Sequence, residues 1–204
     1  MREEKTRIAV LVSGGGTNLQ ALIDAQKSGI LVNGSIELVV SNVSDAYALQ
    51  RAADASIPST VITKRMYGGQ EGFEKKLREV LEENRIELII LAGFLSILSA
   101  DFTDRYPERI INVHPALIPS FCGKGYYGLR VHEEALAYGV KVTGATVHFV
   151  NAVPDGGRIL LQKAVEILPG DTPEVLQRRV MEQAEWILLP RAAEMVSASI
   201  RENS

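Results

Sequence analysis

The sequence predicts an α/β protein built on a mixed, mostly parallel β-sheet with helices on both faces. In the first half of the 204 residues, short apolar runs alternate with amphipathic helical segments. This alternation is typical of βαβ units, whose strands are parallel. In the second half, two β-rich stretches are joined by a short turn-rich segment, NAVPDGG. Such a short connection favours an antiparallel pair.

The first half contains four predicted strands separated by three predicted helices. The strands are Ile8–Val12, Ile36–Ser41, Thr60–Thr63 and Glu87–Ala92, and the helices are Asn18–Lys27, Tyr47–Ala55 and Gly72–Asn84. The run Glu87–Ala92 is apolar almost throughout, as expected for a strand covered on both faces. Because βαβ crossovers are right-handed, a doubly wound arrangement is the simplest architecture for this half.

The second half begins with a strand that runs into a polar loop containing proline. Its predicted elements are the strand Ile110–Val113, a helix near Val131–Tyr138, and the β-rich stretches Thr143–Val150 and Arg158–Ile167. A C-terminal helix then begins at Thr172, whose hydroxyl can cap it, with Pro173 in its first turn. No linker or repeat divides the chain, so we expect a single domain over residues 1–204.

The composition excludes several classes of partner. Hydrophobic residues make up 46% and charged residues 23% of the chain, as in soluble globular proteins. The net charge of −3, with acids and bases interspersed, argues against nucleic acid and membrane surfaces. The single cysteine, Cys122, excludes an internal disulfide and a cysteine-rich metal site. Without an apolar targeting or membrane-spanning segment, we expect a cytoplasmic protein with small-molecule partners.

A glycine-rich turn, Ser13–Asn18 (SGGGTN), lies between the first strand and the first helix. Glycines let the backbone approach a ligand closely, and the amides and positive dipole end of the following helix favour a phosphate. The turn has neither the dinucleotide pattern GxGxxG nor the GK[ST] of nucleoside-triphosphate sites. It therefore indicates a phosphate-binding turn, or else a tight connection with no ligand.

Asn112, His114 and Asp155 form the candidate catalytic group. Asn112 and His114 lie on the same side of a strand whose carboxyl end should face the ligand crevice. Asp155 lies in a turn from which a carboxylate can reach an imidazole and raise its pKa. A proton carrier, an amide donor and an orienting acid suit acyl transfer. The structural alternatives are a core histidine and two turn-forming residues.

The two other histidines, His132 and His148, fit a site wall and a structural role equally well. Neither is paired with another histidine at the i, i+4 spacing of a zinc-binding helix. We therefore expect no metal.

Six segments together resemble the phosphoribosylglycinamide formyltransferase family: SGGGTNLQALID, SNVSDAYAL, LAGFLSILS, INVHPALIPSF, TGATVHFVNAVPDGGRILLQ and GDTPEVLQRRV. The resemblance runs from about Ile8 to Pro190, and the order and spacing of the segments make it specific. It implies a Rossmann-like formyltransferase fold. It also implies a phosphate-binding half at about 1–110 and a catalytic, folate-binding half at about 111–204.

The resemblance implies a formyl transfer from 10-formyltetrahydrofolate, as co-substrate, to the amine of glycinamide ribonucleotide, without a metal. Asn112, His114 and Asp155 fall on the family's catalytic positions. The ribonucleotide would be bound by Gly16, Thr17, Asn18 and Glu185. The folate would be bound by Gln70, Leu95, Ser96, Ile97, Leu98, Asn151, Ala152, Val153 and Pro154. We expect a monomer or a homodimer, and the sequence does not decide between them.

The chain departs from the family pattern at four places. Gln70 and Ser96 stand where an arginine is usual. The segment Cys122–Arg130 is longer than the usual connection, and its Lys124 could reach a glutamate tail or a phosphate. The helix that carries Glu185 has one extra residue.

Three other functions compete with this interpretation. A formyltetrahydrofolate deformylase would need an additional N-terminal domain, and a methionyl-tRNA formyltransferase would need a C-terminal RNA-binding domain and a basic surface. A phosphate-binding module without catalysis would explain the glycine turn, but not the combination of Asn112, His114 and Asp155.

Overall fold

The computed structural model describes residues 5–203, in which seven strands form one sheet of order β3-β2-β1-β4-β5-β6-β7. The strands from β3 to β5 are parallel to their neighbours, whereas β6 is antiparallel to β5 and β7 to β6. The predicted mixed, mostly parallel sheet is confirmed. The strands are β1 Thr6–Val12, β2 Gly34–Ser41, β3 Ser59–Val61, β4 Leu88–Leu91, β5 Ile110–His114, β6 Val142–Phe149 and β7 Ile159–Glu166.

The helices connect these strands and cover both faces of the sheet. They are α1 Thr17–Ser28, α2 Tyr47–Asp54, α3 Gln70–Glu83, α4 Ala100–Thr103, α5 Leu129–Tyr138, α6 Pro173–Val180 and α7 Trp186–Glu202. A π-helical turn, Met181–Glu185, joins α6 to α7. The sequence did not predict α4, which is a single turn, or the π-helical turn. Within residues 5–203, no helix has the length and apolar character needed to cross a bilayer.

The central strand β4 shows why its sequence is apolar throughout. Leu88 and Ile90 belong to the hydrophobic cluster on one face of the sheet, which includes side chains of α1 and α7. Ile89 and Leu91 belong to the cluster on the opposite face, which includes side chains of α3. Alternate residues of a strand point to opposite faces. Burial of both faces therefore requires four consecutive apolar residues.

Thr172 caps α6 as the sequence predicts: its hydroxyl accepts a hydrogen bond from the Val175 amide at 3.4 Å, and Pro173 occupies the first turn. Thr172→Ala is therefore expected to lower the free energy of unfolding by about 1 kcal/mol. Urea denaturation would measure the loss. Thr172→Ser is the matched control because it keeps the hydroxyl, and an equal loss in both variants would contradict the capping role.

Candidate active site

A cleft of about 750 Å³ lies where loops follow the carboxyl ends of β4 and β5, beside the start of α1. Ligands of open α/β sheets bind at this edge, and the volume suits a small-molecule site. Polar and titratable side chains from separate parts of the chain line it, among them Asn18, Asn112, His114, Asp155 and Glu185.

His114 ends β5 and is 4% exposed. Its Nε2 donates a hydrogen bond to the carbonyl oxygen of Phe121 at 2.8 Å. Because a carbonyl can only accept, the proton of the neutral ring lies on Nε2. A second proton would bind Nδ1, which lies 3.6 Å from Oδ2 of Asp155. The structure thus brings the predicted imidazole and carboxylate together, and Asn112 also lines the cleft, as strand alternation requires.

Burial lowers the pKa of His114 below its usual value, and the opposing effects of Asp155 and the Phe121 carbonyl offset this only in part. Asp155 thus acts in the predicted direction and raises the pKa of His114, but burial has the larger effect. Loss of hydration disfavours the charged ring more than the carboxylate favours it. The side chain is consequently neutral at neutral pH.

Three groups interact with the carboxylate of Asp155: the Gly123 amide, His148 and His114. The Gly123 amide donates to its Oδ2 at 2.8 Å, and its Oδ1 lies 3.5 Å from Nε2 of His148. Burial alone would raise the pKa of Asp155, but hydrogen bonding with His148, the charge interaction with His114 and the Gly123 amide together lower it. The carboxylate is therefore ionised while the imidazole of His114 is neutral.

His148 belongs to this group, although its sequence left a structural role equally open. It pairs with Asn112 across β5 and β6. Its Nδ1 donates to the Phe149 carbonyl at 2.8 Å, and its Nε2 lies 3.3 Å from Nδ2 of Asn112 and 3.5 Å from Oδ1 of Asp155. The register between β5 and β6 brings His148 into this group, and the sequence alone does not reveal that register.

His132, the third histidine, lies in α5 and lines the cleft, although the residue is fully buried. Burial lowers the pKa of His132 to about 4, with a smaller contribution from His114. Its ring is therefore neutral across the physiological range. Within residues 5–203, no three or more His, Cys, Asp or Glu side chains come together in a group able to hold a metal ion.

Asn18 and Glu185 also line the cleft and contact each other. Nδ2 of Asn18 donates to Oε2 of Glu185 at 2.7 Å, and both side chains are more than nine-tenths buried. Burial raises the pKa of Glu185 to about 7, although the Asn18 hydrogen bond acts in the opposite direction. Gly16 and Thr17 directly precede Asn18 at the start of α1 but do not line the cleft.

The π-helical turn explains how Glu185 reaches this position despite the extra residue of its helix. A π-helical turn holds one more residue than an α-helical turn and often occurs at functional sites. Here it spans Met181–Glu185 and ends on the residue that binds Asn18. Both Met181 and Glu185 line the cleft.

The residues expected to bind folate divide into those that line the cleft and those that do not. Leu95, Ile97 and Pro154 line it. Leu98 does not, because it is 5% exposed and packs in the hydrophobic cluster beside α3. The exposed residues Asn151, Ala152 and Val153 also lie outside the wall.

Gln70 and Ser96 do not line the cleft, but both stabilise the loop Leu95–Leu98. Nε2 of Gln70 donates to the Ile97 carbonyl at 3.0 Å and also to the Glu74 carboxylate. Oγ of Ser96 accepts from Nδ2 of Asn42 at 2.8 Å. These contacts fix the backbone of the loop, so the two positions act on its shape.

Residues 6–192 match the family model described as Formyl transferase. The chain belongs to this family. The formyl transferase is 41% identical over 184 residues to the phosphoribosylglycinamide formyltransferase of Haemophilus influenzae, an alignment covering 90% of this chain and 84% of that protein. It is 43% identical over 198 residues to the trifunctional purine biosynthetic protein adenosine-3 of Gallus gallus, covering 97% of this chain. That alignment spans only 19% of the trifunctional protein.

Solved structures of the same family superpose closely on this formyl transferase. The glycinamide ribonucleotide transformylase 1 of Symbiobacterium toebii gives a TM-score of 0.89 at 37% identity, covering 98% of this chain and 94% of that one. The phosphoribosylglycinamide formyltransferase of Coxiella burnetii gives 0.88 at 39% identity, covering 96% and 89%. The Rossmann-like fold implied by the sequence resemblance is confirmed.

Proposed function

We propose that this formyl transferase moves the formyl group of 10-formyltetrahydrofolate to the amine of glycinamide ribonucleotide, in purine biosynthesis. The names of the relatives from Haemophilus influenzae and Coxiella burnetii support this substrate. The observation that carries the proposal is the cleft itself. It is lined by His114, Asp155 and Asn112 and also by the buried Asn18–Glu185 pair.

Separate groups of residues suit the two substrates. Leu95, Ile97 and Pro154 give an apolar wall that fits the pteridine ring of the formyl donor. The amides at the start of α1, at Gly16–Asn18, would bind the phosphate of the ribonucleotide. Asn18 and Glu185 would bind its polar groups. No step of this proposal needs a metal.

The catalytic residues have separate roles in this proposal. When the substrate amine attacks the formyl carbon, negative charge grows on the formyl oxygen, and the Asn112 amide would donate a hydrogen bond to it. Neutral His114 would accept the proton released by the amine and return it to the leaving nitrogen, directly or through water. Once protonated, His114 is stabilised by the ionised Asp155, 3.6 Å away.

The test is an assay of formyl transfer in which glycinamide ribonucleotide is present or omitted. We expect release of the formyl group from the folate to depend on the ribonucleotide and to yield its formylated product. Equal release without the ribonucleotide would mean that water is the acceptor, and it would support a deformylase instead. No release under either condition would contradict a formyl transferase activity.

The pH dependence follows from the lowered pKa of His114. The imidazole must be neutral to accept a proton, so kcat/KM should fall as pH decreases through a pKa below 6.5. The substrate amine also titrates, but it does so equally in every variant. In His114→Asn the acid limb assigned to the imidazole should therefore disappear. Rate profiles from pH 5 to 9 that have the same shape in both proteins would contradict this role.

We also propose that residues 1–204 act as a single domain in the cytoplasm, as a monomer or homodimer, without nucleic-acid or membrane partners. The continuous sheet between residues 5 and 203 supports the single domain.

A further inference from the structure

Residues of α2 donate hydrogen bonds to the glycine loop Gly14–Gly16, which precedes α1. The Ala48 amide donates to the Gly14 carbonyl at 3.0 Å, and Nε of Arg51 donates to the Gly15 carbonyl at 2.8 Å. The Gly16 carbonyl accepts from the first turn of α1 at 2.9 Å. Three successive carbonyl groups of the loop therefore each have a protein donor.

These contacts fix the direction of the loop amides. In a planar trans peptide, the carbonyl of one residue points opposite to the N–H of the next, and the peptides of this loop are trans. Binding of the Gly14 and Gly15 carbonyls by α2 therefore turns the amides of Gly15 and Gly16 away from α2. Among residues 5–203, no protein group accepts a hydrogen bond from these two amides. They remain available to an anion at the start of α1.

Arg51 also joins α2 to α1. Its Nη1 donates to Oε1 of Gln20 at 3.1 Å, and its guanidinium lies 5.1 Å from the ring centroid of Tyr47. The planar guanidinium can hold the loop and Gln20 at once, whereas a lysine ammonium is a single point of contact. A peptide between glycines rotates easily unless its surroundings restrain it. Arg51 supplies that restraint for the Gly15 carbonyl.

Close packing of Gly16 against α2 further restrains the glycine loop. The φ of Gly16 is +71°, a conformation that favours glycine, and a Cβ placed on this residue would lie 2.6 Å from Cβ of Ala48. The loop therefore packs directly on α2 at Gly16. The only loop carbonyl that a side chain holds is that of Gly15, within the described residues 5–203.

We infer that Arg51 is a positioning residue for the phosphate of the ribonucleotide, an inference that rests on the proposed function. The guanidinium acts through the Gly15 carbonyl and directs the Gly16 amide towards the phosphate. The amides bind the anion, and Arg51 determines whether they point at it. Its loss should weaken the binding of substrates that carry the phosphate and leave the chemistry of the amine unchanged.

The experiment compares glycinamide ribonucleotide with its dephosphorylated form, glycinamide ribonucleoside. Steady-state kinetics and calorimetric binding are measured for wild type, Arg51→Gln, Arg51→Lys and Arg191→Gln. Arg191 is the matched control because it lies on α7 in the same groove as Arg51 and has no hydrogen bond to the loop. Thermal unfolding of each variant identifies any loss of folding.

We expect Arg51→Gln to raise KM for the ribonucleotide about tenfold, as expected for the loss of one hydrogen bond from a charged group, with kcat changed less than about twofold. Its affinity for the ribonucleoside should stay at the wild-type value. Arg51→Lys should recover part of the loss, because its ammonium can still donate to Gly15. Arg191→Gln should behave as wild type.

Three results would overturn the inference. Equal weakening of both substrates by Arg51→Gln would mean that Arg51 stabilises the domain in general. A full wild-type preference for the ribonucleotide in both Arg51 variants would show that the loop needs no restraint, while leaving the proposed function intact. If the wild-type protein formylates neither substrate, the proposed function itself fails, and this inference fails with it.

Discussion

His114→Ala is expected to lower kcat for formyl transfer roughly 100-fold or more, the usual effect of removing a proton-transfer group. The ring is nine-tenths buried beside an ionised carboxylate, so water that enters in its place would not carry the proton in the same geometry. The proposed substrate contacts are made by other residues, and KM should therefore change little. Single-turnover measurements with both substrates would separate the chemical step from binding.

Asp155→Asn should give a loss of similar size, because an amide at this position cannot stabilise the protonated ring of His114. The two residues act as a unit, so the double variant should be little slower than the slower single variant. Asp45→Asn is the matched control, since it removes an equal charge from an exposed side chain outside the cleft. Near-wild-type turnover in His114→Ala or Asp155→Asn would remove that residue from the mechanism.

Glu185→Gln is expected to stabilise the protein at pH 8 by as much as about 3 kcal/mol, which is the free energy that separates a pKa of 4.5 from one of about 7. Between these two values the folded protein keeps a proton that the unfolded chain has released. The free energy of unfolding therefore falls as pH rises from 4.5 to about 7, and it stays low above that. Glutamine has the shape of the protonated acid and removes this dependence.

Urea denaturation at several pH values would measure this effect. Wild type and Glu185→Gln should be about equally stable near pH 4 and should diverge as pH rises. Glu133→Gln is a suitable control because Glu133 is exposed. Glu185→Gln should also weaken binding of the ribonucleotide, so the variant would gain stability and lose affinity. A constant difference between the two stability curves at all pH values would contradict the raised pKa.

The sequence predicts the strands well because each has to bury a particular set of faces. The run Glu87–Ala92 is apolar on both sides, and β4 occupies its centre with both faces covered. Alternation along β5 also places Asn112 and His114 correctly in one cleft. Local patterns and strand directions are therefore enough to locate the centre of the candidate site.

Contacts that depend on packing between elements could not be predicted. His148 reaches Asp155 because β6 pairs antiparallel with β5 in one register. The pairing of β6 with β7 has an irregularity between Val147 and His148. Leu98 has the same apolar character as Leu95, yet only Leu95 lines the cleft. The net pKa of His114 depended on the balance between burial and charge, which the spacing of residues does not contain.

Because of the π-helical turn at Met181–Glu185, the side chains of α7 are rotated about the helix axis independently of those of α6. Each residue advances an α-helix by about 100°, so one insertion into a continuous helix would rotate every later side chain by that angle. The apolar side chains of α7 would then leave the sheet, or those of α6 would. Because the wide turn absorbs the insertion, Leu176 and Leu189 both remain fully buried in the same cluster. The C-terminal helix can therefore tolerate a change in length next to the cleft without any compensating change in the core.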